Sequence, residues 1–324
     1  MISDESKVRG NRESPKRKGL SRGAVFLSAL VLALLTSCVE FTEQTMSYRY
    51  DPATDILRIF QEYRGIHALN TPANKEERDQ LDSVISGQRT FFFNNWIAEF
   101  NREEVLETLA KLRDPLRRAE MKLPEPAQPR LDKFLCLLRD NVRVENGPCY
   151  LDARRQLCGA QYVTVTNCSA VLAAGNDLAL TLVRALGAEE GVSPENKAAR
   201  RKFAAKPSPL VELDGNALTL RAPLAAADYE KQFGAAAEDP QFVEDIRKAG
   251  VKVGFADGVV TLRFGNKTDT ISSLTLPCKT SAYSTNLVEL TRAKHTVRES
   301  FAALEAARDF LLNGRATDVG KKPE

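Results

Sequence analysis

Beyond residue 43 the apolar positions keep two rhythms, and each switch between them marks a new element. In "EQTMSYRYDPATDILRIFQEYRGI", Met46, Tyr48 and Tyr50 alternate with Thr45, Ser47 and Arg49 until Asp51-Pro52 interrupts them. A period of two belongs to a half-buried strand and Asp-Pro initiates turns, so the stretch predicts a hairpin. In "TPANKEERDQLDSVISGQ", Leu81, Val84, Ile85 and Gln88 fall at helical spacing, with Thr71 or Asn74 placed to cap the helix. The run "RTFFFNNWIAEF" holds Phe91, Phe92, Phe93, Trp96 and Phe100, five of the 23 aromatics. Trp96 and Phe100 stand four apart, which reads as one buried face of a helix. The competing reading is an exposed patch that touches a partner or a membrane. "NREEVLETLAKL" predicts a further helix capped by Asn101.

Pro124, Pro126 and Pro129 in "MKLPEPAQPRL" argue against regular helix and for an extended connection. After it, "DNVRVENGPCYLD" and "QLCGAQYVTVTN" read as a short meander, with Asn146-Gly147 as a tight turn. "CSAVLAAGNDLALTLVRAL" is a long amphipathic helix in which Asn176, Asp177 and Arg184 speak against a membrane span, and "GVSPENKAARRKFAAKPSP" reads as a charged, flexible connection. "LVELDGNALTLRAPL" and "VKVGFADGVVTLRF" each place Asp-Gly between alternating strands and close on Thr-Leu-Arg, a faint repeat. Between them "PQFVEDIRKAG" predicts a helix ended by Gly250, and "DTISSLTLP" a further strand. Leu290, Val297, Leu304 and Leu311 recur every seven residues in the last apolar stretch, which predicts one long packing helix stopped by Gly314.

The fold class is therefore α+β, with antiparallel hairpins and a meander packed against amphipathic helices and a long C-terminal helix. The chain divides into a leader (1–37), a hairpin with helices (38–123), a Pro-rich linker or loop (124–130), an α+β region ending in the long helix (131–314) and a disordered tail (315–324). Whether 124–130 separates two domains or is a loop within one stays open.

Charge changes the picture only at the N-terminus. The chain of 324 residues carries a net charge of +3, but the leader holds seven of its 46 Lys+Arg and three of its 43 Asp+Glu. The remainder keeps 39 against 40, so the surplus is the leader's. That argues against a nucleic-acid partner, which requires clustered cations to neutralise phosphates. Within the leader, "KVRGNRESPKRKGLSRG" is followed by the uncharged "AVFLSALVLALL" at residues 24–35. As a helix this run is about 18 Å long, short of the roughly 30 Å of a hydrocarbon core, so it reads as a signal-peptide core.

Leu35-Thr36-Ser37-Cys38 resembles the lipobox of bacterial lipoproteins: a branched apolar residue, two small ones, then cysteine. The resemblance covers the first 38 residues and none of the rest. It implies that signal peptidase II cleaves between Ser37 and Cys38 and that the Cys38 sulfur carries a diacylglyceryl group. It also implies a chain exported and lipid-anchored to the bacterial membrane, on the periplasmic or outer-membrane side. Two or three acyl chains hold a protein durably where one does not.

Candidate chemistry in the rest is sparse. The sequence has no Gly-rich phosphate loop, no G-x-S-x-G and no H-E-x-x-H, and Lys279-Thr280-Ser281 lacks a serine placed before a lysine as nucleophile. Its two histidines are His295, beside Lys294 and Arg298, and His67, with Glu62 nearby; both read as structural or surface residues. Five cysteines follow Cys38, namely Cys136, Cys149, Cys158, Cys168 and Cys278. In an exported chain Cys149 and Cys158 are placed to pair across a hairpin. The spacing contains no C-x-x-C, so no metal or cofactor is expected. The reading is a lipid-anchored envelope protein with a non-catalytic α+β domain for binding, assembly or structure, and with an envelope protein as its expected partner. The alternative is an anchored hydrolase acting on glycan or peptide through carboxylates, which come from distant positions and leave no local motif.

Overall fold

Side-chain alternation and turn chemistry build the centre of the molecule as the pattern predicts. The computed structural model describes residues 39–68, 70, 72–92, 98–121, 123–186, 193–235, 237–278 and 285–316. In chain order the first elements are β1 (Val39–Glu40), β2 (Glu43–Asp51), β3 (Ile56–Arg64), β4 (His67–Ala68), α1 (Lys75–Ser86), β5 (Arg89–Phe92), β6 (Ala98–Asn101), α2 (Arg102–Arg113) and α3 (Pro115–Glu120). Next come α4 (Gln128–Asn141), β7 (Val142–Leu151), β8 (Leu157–Val165), α5 (Cys168–Leu186), α6 (Pro194–Ala205), β9 (Val211–Asp214) and β10 (Ala217–Pro223). The remainder is α7 (Ala226–Phe233), α8 (Pro240–Lys248), β11 (Lys252–Ala256), β12 (Val259–Phe264), β13 (Ser272–Pro277), β14 (Thr285–Asn286), α9 (Val288–Arg292), β15 (Val297–Arg298) and α10 (Ala303–Asn313). The fold class is α+β.

The main sheet has the order β13-β2-β3-β8-β7-β15, antiparallel throughout except for the parallel pair β15 and β7. One face carries Met46, Tyr48, Ile59, Val144 and Val163, buried under Val105 and Leu109 of α2, Leu131 and Phe134 of α4 and Leu178 of α5. The other face carries Phe60, Tyr150 and Tyr162, covered by Ala303, Ala306 and Phe310 of α10. A second sheet, β11-β12-β10-β9, joins the first apolar cluster through Leu220, Leu262 and Phe264. A third, β1-β4-β14, lies over the Glu43 end of the main sheet, and β5 pairs with β6.

Asp51 starts the β2–β3 turn as expected, its carboxylate accepting from Ala53 N–H (3.1 Å) and the Thr54 hydroxyl (2.8 Å). Asn74, not Thr71, caps α1, with Glu77 closing a reciprocal capping box. Asn101 caps α2. Gly250 follows α8 with φ +81°.

Several expectations are corrected. The aromatic run is strand where it is described, with Phe91 and Phe100 buried in a β5–β6 hairpin; Phe93 and Trp96 lie outside the described residues. Aromatics suit strands as well as helix faces, and tertiary pairing decides between them. The Pro-rich stretch is no extended linker: a short 3₁₀ turn at Glu125–Ala127 runs into α4, whose first turn accommodates Pro129 because its missing N–H has no intrahelical partner there. Residues on both sides share one apolar cluster, and β3 from one side pairs with β8 from the other. "SPENKAARRKFAA" is also helix, α6, with Ser193 as cap and Pro194 in its first turn.

Asn146-Gly147 makes a bulge inside β7, and the turn to β8 falls at Asp152–Gln156, where Arg155 takes φ +62°. The two Asp-Gly hairpins turn one residue apart in register, at Gly215-Asn216 and Asp257-Gly258. Their Thr-Leu-Arg triplets lie antiparallel to each other, Leu220 opposite Leu262. The next strand, β13, leaves that sheet and pairs with β2. The long C-terminal helix divides into α9 and α10 around β15, which adds Val297 and Arg298 to the main sheet beside Cys149 and Tyr150.

Candidate functional site

The residue with an expected chemical role, Cys38, lies with Ser37 outside the described residues, but the next residue is already core. Val39 and Phe41 are each 1% exposed. Val39 pairs with Ala68 and Glu40 with His67, while Val39 N–H donates to Gln80 Oε1 of α1 at 2.9 Å. The Phe41 ring packs against Tyr63 and Phe91, with centroids at 4.8 and 5.8 Å. Glu40 and Phe41 are therefore structural. Both sit in a cluster with Ile66, Leu81, Val84, Leu157 and Leu287 or directly beside it. The signal for this was present in the apolar residues Val39 and Phe41 on either side of Glu40, a pattern too short to weigh alone.

His67 is buried, and its partner is Glu40 rather than Glu62. Its Nδ1 stands 2.7 Å from the Gly65 carbonyl, which can only accept, so Nδ1 carries the proton. Its Nε2 faces Glu40 Oε2 at 3.7 Å, an ion-pair distance. The Glu40 carboxylate raises the imidazole pKa, burial lowers it, and the Gly65 carbonyl adds to the rise; the net direction is up. Glu62 lies on the other face of the main sheet. There it accepts from the Tyr150 hydroxyl and holds Arg64 through two bonds at 3.0 and 3.1 Å. His295 meets Asp82 of α1 at 3.2 Å, and Lys294 bonds the same carboxylate, joining the C-terminal segment to α1. Burial raises the Asp82 pKa, but the bonds from Lys294 and His295 more than offset it, and the net shift is downward.

A buried polar belt beside this corner was not anticipated. Gln61, Gln161 and Asn146 stand opposite one another on β3, β8 and β7. Gln161 Nε2 donates to Arg89 O (2.7 Å) and Asn146 Oδ1 (2.6 Å), and the Tyr63 hydroxyl donates to Gln161 Oε1 (2.8 Å). Gln44 Nε2 donates to Gln61 Oε1 (3.1 Å) and Phe91 O (2.5 Å). The belt thus supplies side-chain partners for the backbone of β5, as buried carbonyls require. Arg89 also pairs with Glu99 across the hairpin, both nearly buried. Glutamine at strand positions reads from sequence as a solvent face, so only the docking of the β5–β6 hairpin reveals it as interior.

The disulfide expected between Cys149 and Cys158 does not form. Cys149 pairs in register with Gly159 and Cys158 with Tyr150, so the two side chains leave opposite faces of the sheet. All five described cysteines are free thiols. Burial raises the thiol pKa to about 12 at Cys149, about 11 at Cys158 and about 12 at Cys168 and Cys278, which removes the thiolate at neutral pH. Among the described residues no group of three or more His, Cys, Asp or Glu is placed to hold a metal ion.

One open cleft of mixed lining and one of polar lining lie among the described residues. One, beside α10, is lined by Arg298, Ser300, Phe301, Glu305 and Asp309. Its two carboxylates stand one turn apart on a single helix and share one wall, whereas glycoside hydrolysis needs an acid and a second carboxylate flanking the scissile bond. The other is lined by Gln88, Arg102, Arg139, Asp140, Arg143 and Thr164, among others. There Arg139 is held by Asp140 (2.6 Å) and Arg143 by Glu145 (2.7 Å), while Arg102 donates to the Arg139 carbonyl (2.9 Å). Helix α5 is long and apolar enough to cross a membrane by length and composition. Half of that stretch is buried, and its Asn176 makes two bonds to the backbone of Val211, capping the edge of the second sheet. No protein-family model, curated protein or solved structure matches the chain.

Proposed function

We propose that this chain is an exported lipoprotein of the bacterial cell envelope. It is held to the membrane through lipid on Cys38, and its α+β domain serves binding, assembly or structure rather than catalysis. The observation that carries the reading is the order of parts in the leader: a basic stretch, a short uncharged apolar run and Leu35-Thr36-Ser37-Cys38. Val39, the residue next to Cys38, is a buried strand residue.

The non-catalytic part is supported by the work the buried ionisable groups already do. Glu77 closes the cap of α1, Glu62 is occupied by Tyr150 and Arg64, and His67 by Glu40 and Gly65. Metabolic labelling with a lipid analogue tests the anchor. Wild type is expected to take up label and Cys38→Ser to take up none; equal labelling of both, or a mature chain still carrying residues 1–37, would refute the reading. Crosslinking in intact cells, followed by identification of the captured species, tests for the envelope partner.

A further inference from the structure

We infer that the domain has no tether and is seated directly on the bilayer, with the β1–β4–β14 corner and the Gln80 turn of α1 against the lipid headgroups. The inference rests on the lipid anchor proposed above. An anchored protein usually gains freedom from the residues between its lipid and its first fixed residue, and here that number is none. Val39 is held by strand pairing, by burial and by the bond to Gln80. The Cα of Cys38 is about 3.8 Å from that of Val39 by covalent geometry alone. A lipid on Cys38 therefore brings the surface around Val39 to the headgroup layer and fixes which face meets it.

The opposite end is equally defined. Strand β2 runs from Glu43, near the anchor, to Asp51, a span of about 27 Å at 3.4 Å per residue. The exposed β2–β3 turn at Ala53 consequently points away from the membrane. Exposed charges on the first turns of α1 are Lys75, Glu76, Arg78 and Asp79, two of each sign. On these turns attraction to anionic lipid is offset by repulsion, and the acyl chains supply the hold.

The test uses the mature lipidated chain in vesicles of phosphatidylethanolamine and phosphatidylglycerol. A nitroxide is placed at Asp79→Cys or at Ala53→Cys in a background where the half-buried Cys136 and Cys278 are changed to alanine. The Asp79 probe is expected to be shielded from a water-soluble relaxation agent while the Ala53 probe is open to it, with no change at high salt. Inserting a 20-residue Gly-Ser segment between Cys38 and Val39 leaves every residue of the fold in place and adds a reach of about 25 Å; it is expected to open the Asp79 probe. Equal access at both positions in the vesicle-bound, lipidated wild type would overturn the seating and leave the anchor standing. A chain that carries no lipid by mass and does not bind the vesicles would overturn both.

Discussion

His67 and Asp55 are ordinary in sequence and acquire their roles from what the fold sets beside them. The Glu40 carboxylate, first among the influences on His67, raises its folded pKa above the ordinary imidazole value. Its contribution to stability is complete below about pH 6.5 and is lost as the pH rises through the raised value. Glu40→Gln should move the His67 titration down and flatten that loss, which ring-proton NMR across pH and urea unfolding at two pH values will check. Asp55, with φ 53°, stands in the β2–β3 turn yet accepts from Ser169 N–H (3.0 Å) and the Ser169 hydroxyl (2.6 Å), capping α5 from 114 residues away. Burial pushes its carboxyl up, but the Ser169 and Tyr50 bonds outweigh that and the net direction is down. Asp55→Ala is expected to cost about 1 kcal/mol, the usual worth of a helix cap. Since the folded pKa is depressed, the cap's contribution holds above the ordinary carboxylate range and disappears as the pH falls through the folded value. The denaturation midpoints of wild type and variant should therefore converge in acid.

At the scale of elements, local chemistry was legible where it sufficed. Asp51-Pro52, Asn74 with Glu77, Asn101 and Gly250 all act where their side chains or backbone freedom direct them. It misled where two structures accept the same residues. Asn-Gly serves a bulge as well as a turn, Pro opens a helix as well as a loop, and a seven-residue repeat of apolar residues need not be continuous helix. The divided C-terminal stretch gives a direct check, because Leu304 is 85% exposed whereas Leu311 is 1% exposed. Leu304→Ser should leave stability within about 0.5 kcal/mol of wild type. Leu311→Ala should cost about 2–5 kcal/mol. A single packed helix would make both substitutions costly, and thermal unfolding of the pair separates the cases.

For the whole molecule, the residues just after Cys38 join the leader's chemistry to the fold's stability. Phe41→Ala, three positions beyond the cysteine, should cost about 3–5 kcal/mol, since a buried ring packed on Tyr63 and Phe91 leaves a cavity. Urea unfolding of a soluble chain starting at Val39 measures it; a negligible loss would mean that the N-terminal strand is dispensable. The sequence by itself determined the α+β class, the cap at Asn101 and, as one of two candidates, the cap at Asn74, and it carries the proposed address at Cys38, because strand alternation, capping and a lipobox-like motif are each written within a few neighbouring residues. Only the tertiary structure decided that Cys149 and Cys158 face apart, that Glu40 rather than Glu62 meets His67, that a row of glutamines is interior and that β13 leaves its neighbours to pair with β2. Each of these depends on which face of a strand is covered and by what. That choice is made by burial between segments far apart in the chain, and no local pattern encodes it.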